Sequence, residues 1–210
     1  MSSLTLQKRR LYGHLAEGKT FANLDLRSSH AFNSVWRKCI FTSCDFSASN
    51  FTSAQFIDCI FTDCTMMLTA FNIARFDACI FSNCTLEQAN FTAAILGDTA
   101  FDECRMTCAV FFDAMPTRMG MTGCNLHGAD LRFLYSGGVD FQGSNLWGAQ
   151  VGIGCGFFNG SFDDRQCRIF LAMIARRYTE SDTRDKLREM AGKEMALVER
   201  LMREQEEDVE

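Results

Sequence analysis

The chain has 210 residues, of which 47% are hydrophobic and 22% are charged, and its net charge is −5. This length suits one domain with a substantial core, or a domain with an appendage, and the composition excludes a wholly disordered or collagen-like chain. The acidic balance disfavours direct binding of nucleic acid. No apolar run reaches the roughly 18 residues of a membrane-spanning helix. The first residues lack an apolar stretch, so we expect no secretory signal.

Charge and pattern divide the chain into three regions. Residues 1–40 carry seven Lys/Arg and two Asp/Glu, whereas residues 41–150 carry four and eleven. We predict a basic N-terminal segment over residues 1–20, a repeat region over residues 21–162, and a helical cap and dimerisation tail over residues 163–210.

The central region has a period of five residues. Starting at Phe41, every fifth residue up to Val151 is large and apolar at 21 of 23 positions, the exceptions being Pro116 and Ser136. The average composition would give about 11 such positions, so the period is a structural signal. A second series of small residues, many of them cysteine, lies two positions before the first.

A square coil explains this period, because neither a helix nor an alternating strand returns the same side every five residues. If four pentapeptides form one turn, residues twenty apart stack. The sequence shows such columns in Ile40, Ile60 and Ile80, and in Cys44, Cys64, Cys84, Cys104 and Cys124. Large and small inward side chains would then fill a narrow interior.

The triplets Ala129-Asp130-Leu131, Ser49-Asn50-Phe51 and Ala89-Asn90-Phe91 resemble the A-(D/N)-(L/F) core of the pentapeptide-repeat family. The resemblance implies an all-β solenoid, a right-handed quadrilateral pentapeptide-repeat β-helix, here with a C-terminal α-helical appendage. The segments 41–46 (FTSCDF) and 81–86 (FSNCTL) are most similar to quinolone-resistance (Qnr-type) and related self-immunity proteins. That resemblance implies a cytoplasmic, non-enzymatic rod that imitates duplex DNA and binds DNA gyrase or topoisomerase IV.

Eleven cysteines raise the alternatives of zinc binding and disulfides. Eight occupy the small inward position, where a thiol behaves as a compact hydrophobe, and no C-x-x-C spacing occurs. We predict structural packing, no metal site and no cofactor. Many free thiols also indicate a reducing compartment, hence the cytoplasm. The three scattered histidines and the absence of phosphate-binding glycine loops predict that the protein is not an enzyme.

The repeat frame assigns outward residues to sides of the coil. The two sides that follow the Phe56 and Phe61 columns carry an acidic flank, formed by Asp58, Asp63, Asp77, Asp98, Asp102 and Glu103. The two sides that follow the Phe46 and Phe51 columns carry an apolar flank, formed by Met67, Leu68, Ile73, Phe112, Phe133 and Trp147. Closely spaced carboxylates can present a field like a phosphate backbone, and exposed apolar residues indicate a partner or a covering segment.

The C-terminal region follows a helical pattern. Residues 164–178 suit a short apolar helix that covers the open end of the solenoid. Residues 182–205 form an amphipathic stretch, and we predict a homodimer through its apolar stripe. The stripe residues are Leu187, Met190, Met195, Val198 and Leu201.

Two functions remain open from the sequence. The first is a protein-binding DNA mimic whose partner is a type II topoisomerase. The alternative is an interaction scaffold, or an effector or inhibitor module, that acts through its apolar flank or its helical tail.

Overall fold

The structure is a computed structural model, and it describes residues 11–132 and 137–151. The described chain is an all-β parallel solenoid of about six turns, without a helix in these residues. The predicted helical appendage over residues 163–210 lies outside them. The strands are β1 (Leu15–Glu17), β2 (Thr20–Ala22), β3 (Val35–Arg37), β4 (Ile40–Thr42), β5 (Gln55–Ile57), β6 (Ile60–Thr62), β7 (Arg75–Asp77), β8 (Ile80–Ser82), β9 (Ile95–Gly97), β10 (Ala100–Asp102), β11 (Met115–Thr122), β12 (Asp130–Leu131), β13 (Gly137–Asp140) and β14 (Gln150–Val151).

Strands stack on two adjacent sides of each turn. One stack runs β1-β3-β5-β7-β9-β11, and the next runs β2-β4-β6-β8-β10-β11. The pairing is parallel with a register of 20 residues, as between Phe41 and Phe61. The long strand β11 belongs to both stacks, because its first part pairs with β9 and its last part with β10.

The other two sides pair through single bridges with the same register, except where β12 pairs with β14 over two residues. Asp45 pairs with Thr65, and Asn50 pairs with Ala70, again in parallel. The described chain therefore has four columns of pairing per turn, as four pentapeptides per turn require. The right-handed sense of the coil remains a prediction from the resemblance.

The corners between sides adopt a left-handed backbone conformation. Twenty non-glycine residues have φ between 47° and 58°, and each lies two positions after the first inward position of its pentapeptide, which is large except at Ala31 and Pro116. After Phe46 and Phe51 the corner is closed by a hydrogen bond, as when the Ser49 N–H donates to the Phe46 carbonyl at 3.0 Å. A positive φ at the third residue of such a turn is typical of type II turns. The corner thus sets the period of five.

The interior confirms the two inward series. Phe61 and Phe81 stack with ring centroids 4.6 Å apart, and Phe81 and Phe101 with centroids 4.7 Å apart. These distances match the spacing of hydrogen-bonded strands, about 4.8 Å, so each ring packs on the ring of the next turn. The cysteines of the small series are buried beside these rings.

The solenoid begins earlier than residue 21. Leu11 and Ala16 are buried, and β1 and β2 pair with the next turn. Residues 11–20, which the sequence assigned to a basic segment, therefore belong to the coil. Their signal is weak because the inward position at Ala16 is small, and only the outward residues of this stretch carry charge.

The exception at Pro116 is also part of the interior. Pro116 is buried and pairs with Leu96 in the adjacent strand. Met119, at the position where the preceding turns place a small residue, is buried as well. In this turn, therefore, methionine occupies an inward position that is usually small, and proline occupies an inward position that is usually large.

Candidate partner-binding surfaces

Each side of the solenoid exposes the two residues that flank its large inward residue. We name the sides after these inward residues, so that the Phe56 side exposes Gln55 and Ile57, and the Phe61 side exposes Ile60 and Thr62. The Phe46 and Phe51 sides complete the turn. The corner residue, two positions after each inward residue, projects between two sides.

The structure brings the six residues of the acidic flank onto neighbouring sides and corners. Asp58 and Asp98 lie on the corner between the Phe56 and Phe61 sides, one in every second turn. Asp63 and Glu103 lie on the next corner. Asp77 lies on the Phe56 side and Asp102 on the Phe61 side.

Two of these six carboxylates are already neutralised by arginine. Arg75 donates to Asp77 at 3.0 Å, and Arg118 forms an ion pair with Asp98. Asp63 accepts a hydrogen bond from the Asn83 amide at 2.6 Å, which leaves its charge uncompensated. Within the described residues, Asp58, Asp102 and Glu103 form no ion pair. Four negative charges of the acidic flank are therefore available to a partner.

The apolar flank does not form one continuous patch. Leu68 and Ile73 are 58% and 63% exposed, and they project from the two corners that bound the Phe51 side. Met67 is exposed beside Leu68. Phe112 lies two turns further along the Phe51 side, where the Arg132 guanidinium covers its ring at 4.9 Å from the centroid. Trp147 is half-buried on the Phe46 side.

Several predicted site residues lie outside the described residues. They are Phe133 of the apolar flank and the dimerisation residues Leu187, Met190, Met195, Val198 and Leu201. Their roles remain predictions.

One exposed apolar column was not assigned to any site from the sequence. Ile40, Ile60 and Ile80 are about two-fifths exposed, at 40%, 37% and 40%. They lie on the Phe61 side, between the two corners that carry the acidic flank. The 20-residue spacing of these isoleucines is visible in the sequence, but only the pleat of β4, β6 and β8 shows that they point outward.

The buried thiols are packing groups and hydrogen-bond donors. The Cys84 sulfur lies 3.5 Å from the Phe61 carbonyl oxygen and 3.4 Å from the Ser82 carbonyl oxygen, and its single proton can be donated to either of them. A hydrogen bond with the Cys59 thiol raises the pKa of Cys39, and burial raises it further. The Cys64 thiol and burial act in the same way on the pKa of Cys44. The Cys39 and Cys44 thiols therefore stay protonated and poorly reactive at neutral pH.

The nine cysteines within the described residues are all free. Eight are buried, as the inward register predicts, and Cys108 is exposed on a corner. In this part of the chain, no three His, Cys, Asp or Glu side chains are placed to hold a metal ion.

Two sequence-family models match the chain. A model of the pentapeptide repeat region matches residues 74–151, and a model of eight copies of the pentapeptide repeat matches residues 25–63. Together they cover more than half of the 210 residues. The chain belongs to the pentapeptide-repeat family. Members of this family are generally non-catalytic scaffold proteins.

Solved structures of pentapeptide-repeat proteins are similar to the chain at low sequence identity. HetL, a protein involved in heterocyst differentiation regulation from the cyanobacterium Nostoc sp. strain PCC 7120, is 18% identical with a TM-score of 0.34. That alignment covers 65% of this chain and 64% of HetL, so the chain spans less than two thirds of that protein. A trypsin-treated form of QnrB1, a plasmid-mediated fluoroquinolone resistance protein, is 18% identical with a TM-score of 0.31. It is aligned over 70% of this chain and 87% of its own.

A search of curated protein sequences finds no match to the chain. The described part of the chain contains no helix that could span a membrane.

Proposed function

We propose that this pentapeptide-repeat protein is a non-catalytic binding protein that imitates duplex DNA and binds DNA gyrase or topoisomerase IV through its acidic flank. The observation that carries this proposal is the set of four uncompensated carboxylates, Asp58, Asp63, Asp102 and Glu103. They lie on one side of the solenoid and its two corners, where a basic groove can reach all of them.

The density of these charges supports the proposal. Asp58 and Asp63 lie in one turn, and Asp102 and Glu103 lie two turns further along, about 10 Å away at the spacing of hydrogen-bonded strands. Four charges over this length are of the same order as duplex DNA, which carries one charge per about 1.7 Å of helix axis. The rigid register of the strands fixes these positions before any partner arrives.

A second candidate function is an interaction scaffold, or an effector or inhibitor module, that acts through the apolar flank. Leu68 and Ile73 favour it, because both are exposed and both hold a positive φ. A left-handed conformation is unfavourable for a bulky side chain such as that of Leu68, and more so for the β-branched side chain of Ile73, so these two corners combine strain with apolar exposure. Two projecting apolar side chains of this kind suit binding in an apolar groove of a partner protein.

The test compares two sets of charge-neutralising substitutions in the full chain. The first set is Asp58→Asn, Asp63→Asn, Asp102→Asn and Glu103→Gln, which removes the uncompensated charges. The control is Asp77→Asn with Asp98→Asn, which removes two carboxylates already paired with arginine, and its effect is compared with that of the first set per charge removed. Binding to purified gyrase and topoisomerase IV, and gyrase supercoiling with and without a quinolone, are measured at two salt concentrations.

We expect the first set to weaken binding strongly and to reduce its salt dependence, because exposed charges are screened over about 10 Å at 0.1 M salt. The control should have a smaller effect, and thermal stability should change little in the first set. If the wild-type protein leaves supercoiling unchanged, the topoisomerase proposal is wrong. The scaffold function is favoured by a different result with another partner protein. In that result, Leu68→Ser and Ile73→Ser abolish binding of the partner, and the substitutions of acidic residues leave this binding unchanged.

We also propose that the protein resides in a reducing compartment such as the cytoplasm, which its free buried thiols support. The homodimer through residues 180–210 is proposed from the sequence pattern alone, and deletion of those residues should leave a folded monomer.

A further inference from the structure

The hydroxyl group of Ser29 lies buried in the first described turn of the solenoid. Ser29 is only 3% exposed, and within the described residues its hydroxyl has no hydrogen-bond partner. Burying a hydroxyl without a partner is unfavourable, and buried polar groups in folded proteins are almost always paired. The equivalent hydroxyls of later turns show which partners this group requires.

The same column of small inward residues continues with Ser49 and Thr69. The Ser49 hydroxyl donates to the Leu26 carbonyl at 2.7 Å and accepts a hydrogen bond from the Ser29 N–H at 3.0 Å. Thr69 donates to the Phe46 carbonyl at 2.9 Å. Each acceptor lies 23 residues before the hydroxyl, and the donor to Ser49 lies 20 residues before it. A hydroxyl in this column therefore joins its turn to the preceding turn.

Ser144, in a different column, makes the same pair of hydrogen bonds. Its hydroxyl donates to the Met121 carbonyl, 23 residues earlier, and accepts a hydrogen bond from the Cys124 N–H at 2.8 Å, 20 residues earlier. The pair of bonds thus follows from the stacking register of the solenoid and is not peculiar to one column.

We propose that residues 4–10 form two further sides of the solenoid and close its N-terminal end as an N-terminal cap. Leu6 stacks on Leu26 as the large inward residue of this cap. The Ser29 hydroxyl donates to the Leu6 carbonyl, 23 residues earlier, and accepts a hydrogen bond from the Arg9 N–H, 20 residues earlier. The end of the solenoid is thereby occupied by a segment of the same chain. This proposal does not depend on the proposed topoisomerase target.

The first described residue already lies in the register that the N-terminal cap would continue. The Leu11 N–H donates to the His30 carbonyl at 2.7 Å, just as the Ala31 N–H donates to the Asn50 carbonyl at 2.8 Å one turn later. Leu11 is also buried. The repeat frame has a large inward residue every five positions, and the position five residues before Leu11 is Leu6. The preceding chain therefore reaches the end of the solenoid in frame, without an insertion.

Burial at this end of the solenoid supports the N-terminal cap. Leu26 is 0% exposed, as is Ala31, which lies beneath Leu11. Ala16 and Phe21, on the two sides that the N-terminal cap would leave uncovered, keep 5% and 6% exposure. A large side chain stacked on Leu26 accounts for its complete burial.

The charge of Arg9 is compatible with its small inward position in the N-terminal cap. His14 and Lys19 occupy the same kind of position in the first described turn, where Lys19 is exposed. Small inward side chains lean toward the preceding turn, as the Cys39 sulfur does when it lies 3.7 Å from the Ala16 carbonyl oxygen. A polar side chain that no turn precedes can therefore extend into water, and the outermost turn accepts it.

Amide hydrogen exchange of the full chain, resolved to single residues, tests the N-terminal cap. In the wild type, the amides of Leu6 and Arg9 should exchange at least about 10-fold more slowly than in an unstructured chain, because both are hydrogen-bonded. Leu6→Asn removes the inward apolar side chain and should bring exchange at Arg9 close to the unstructured rate. Thr5→Asn is the matched control, because it places the same side chain at the neighbouring outward position and should preserve the protection. Circular dichroism checks that both variants keep the solenoid.

Substitutions of Ser29 test the hydroxyl itself. Ser29→Ala removes the acceptor of the Arg9 N–H, so exchange at Arg9 should become between about 2-fold and 10-fold faster. Ser29→Thr keeps a hydroxyl in the column where Thr69 already bonds to the preceding turn, and it should preserve the slow exchange. Ser49→Ala is the matched control one turn further along. It should speed exchange at the Ser29 amide and leave exchange at Arg9 unchanged.

Either of two results would overturn the proposal. The first is exchange at Leu6 and Arg9 at the unstructured rate in the wild-type chain. If the mass of that chain then also rises with concentration, a second copy occupies the end in place of the N-terminal cap. The second is an Arg9 amide that exchanges equally fast in the wild type and in Ser29→Ala. Neither result involves gyrase, so a failure here is distinct from a failure of the proposed function.

Discussion

The turns between Phe41 and Ala114 and the turn between Met115 and Leu131 follow the same frame with different residues. The first set uses phenylalanine at most large positions, cysteine or alanine at most small positions, and non-glycine corners. The second uses Pro116 and Met121 at large positions and Met119 at a small one, with glycine at the corners Gly123 and Gly128. The solenoid continues through both.

This difference separates what the fold requires from what it tolerates. The interior requires a filled volume in each turn, because a void removes contacts from its lining. The corner requires a left-handed backbone, which glycine adopts without strain and other residues adopt at a cost. At either position, the identity of the residue matters less than its volume or its backbone conformation. Substitutions at the large inward positions, at the buried thiols and at the corners should therefore change stability by different amounts.

The largest effect should come from the large inward column. Phe81 is fully buried between Phe61 and Phe101, so Phe81→Ala opens a cavity in a stack that cannot collapse without breaking its register. We expect a loss of about 3–5 kcal/mol in the free energy of unfolding. Cys84→Ala, in the same turn, removes only one sulfur atom and should cost less than about 1.5 kcal/mol. Urea unfolding measures both.

A metal role for the thiols predicts the opposite order. Stoichiometric zinc in the purified protein, lost together with stability in Cys84→Ala, would show that the small column is a ligand set. Equal and mild effects of Cys64→Ala and Cys84→Ala would support packing.

The next effect should be an alkaline loss of stability from the buried thiols. Unfolded cysteine has a pKa of about 8.5, whereas the folded pKa values of Cys39 and Cys44 are raised. Below about pH 8.5 both states hold these protons, so the thiols add no pH dependence. Above it the unfolded chain ionises first, and stability falls by up to about 1.4 kcal/mol per pH unit for each thiol.

The matched variant for this prediction is Cys39→Ala with Cys44→Ala. Unfolding free energies are measured between about pH 7.5 and pH 10, and the difference between the two proteins cancels the titration of lysine and tyrosine. The wild type should lose stability more steeply. Parallel pH profiles would mean that these two thiols titrate alike in the folded and unfolded chain.

The sequence predicts the repeat frame well, because the large and small inward positions are set by volume alone. It predicts the beginning of the coil poorly, since Ala16 and Ala31 interrupt the large series while the backbone pairing continues. It assigns acidic residues such as Asp58 to the sides that follow the Phe56 and Phe61 columns, but it shows neither that Asp58 lies on a corner nor that Arg75 and Arg118 neutralise two of the six. Those ion pairs depend on how far each arginine side chain extends across a side or between turns, and the repeat pattern of the sequence does not give this geometry.

The smallest effect should appear at the corners, where the two kinds of turn can be compared at one column. Ala48 and Gly128 occupy equivalent corners with φ of 56° and 66°. Gly128→Ala adds a Cβ in a left-handed conformation, so we expect a loss of about 1–2 kcal/mol. Ala48→Gly relieves that conformation but frees the unfolded chain, and these opposing terms should leave stability within about 0.5 kcal/mol of wild type.

One contact could imitate this result and needs its own control. A Cβ at position 128 would lie 3.3 Å from the Cys108 sulfur, so crowding and backbone strain both disfavour Gly128→Ala. In a Cys108→Ala background the crowding is gone and the backbone conformation is unchanged. If Gly128→Ala still costs about 1 kcal/mol there, the corner conformation is the cause. If the cost disappears, the corners accept alanine freely, and glycine in the later turns reflects local packing instead of backbone strain.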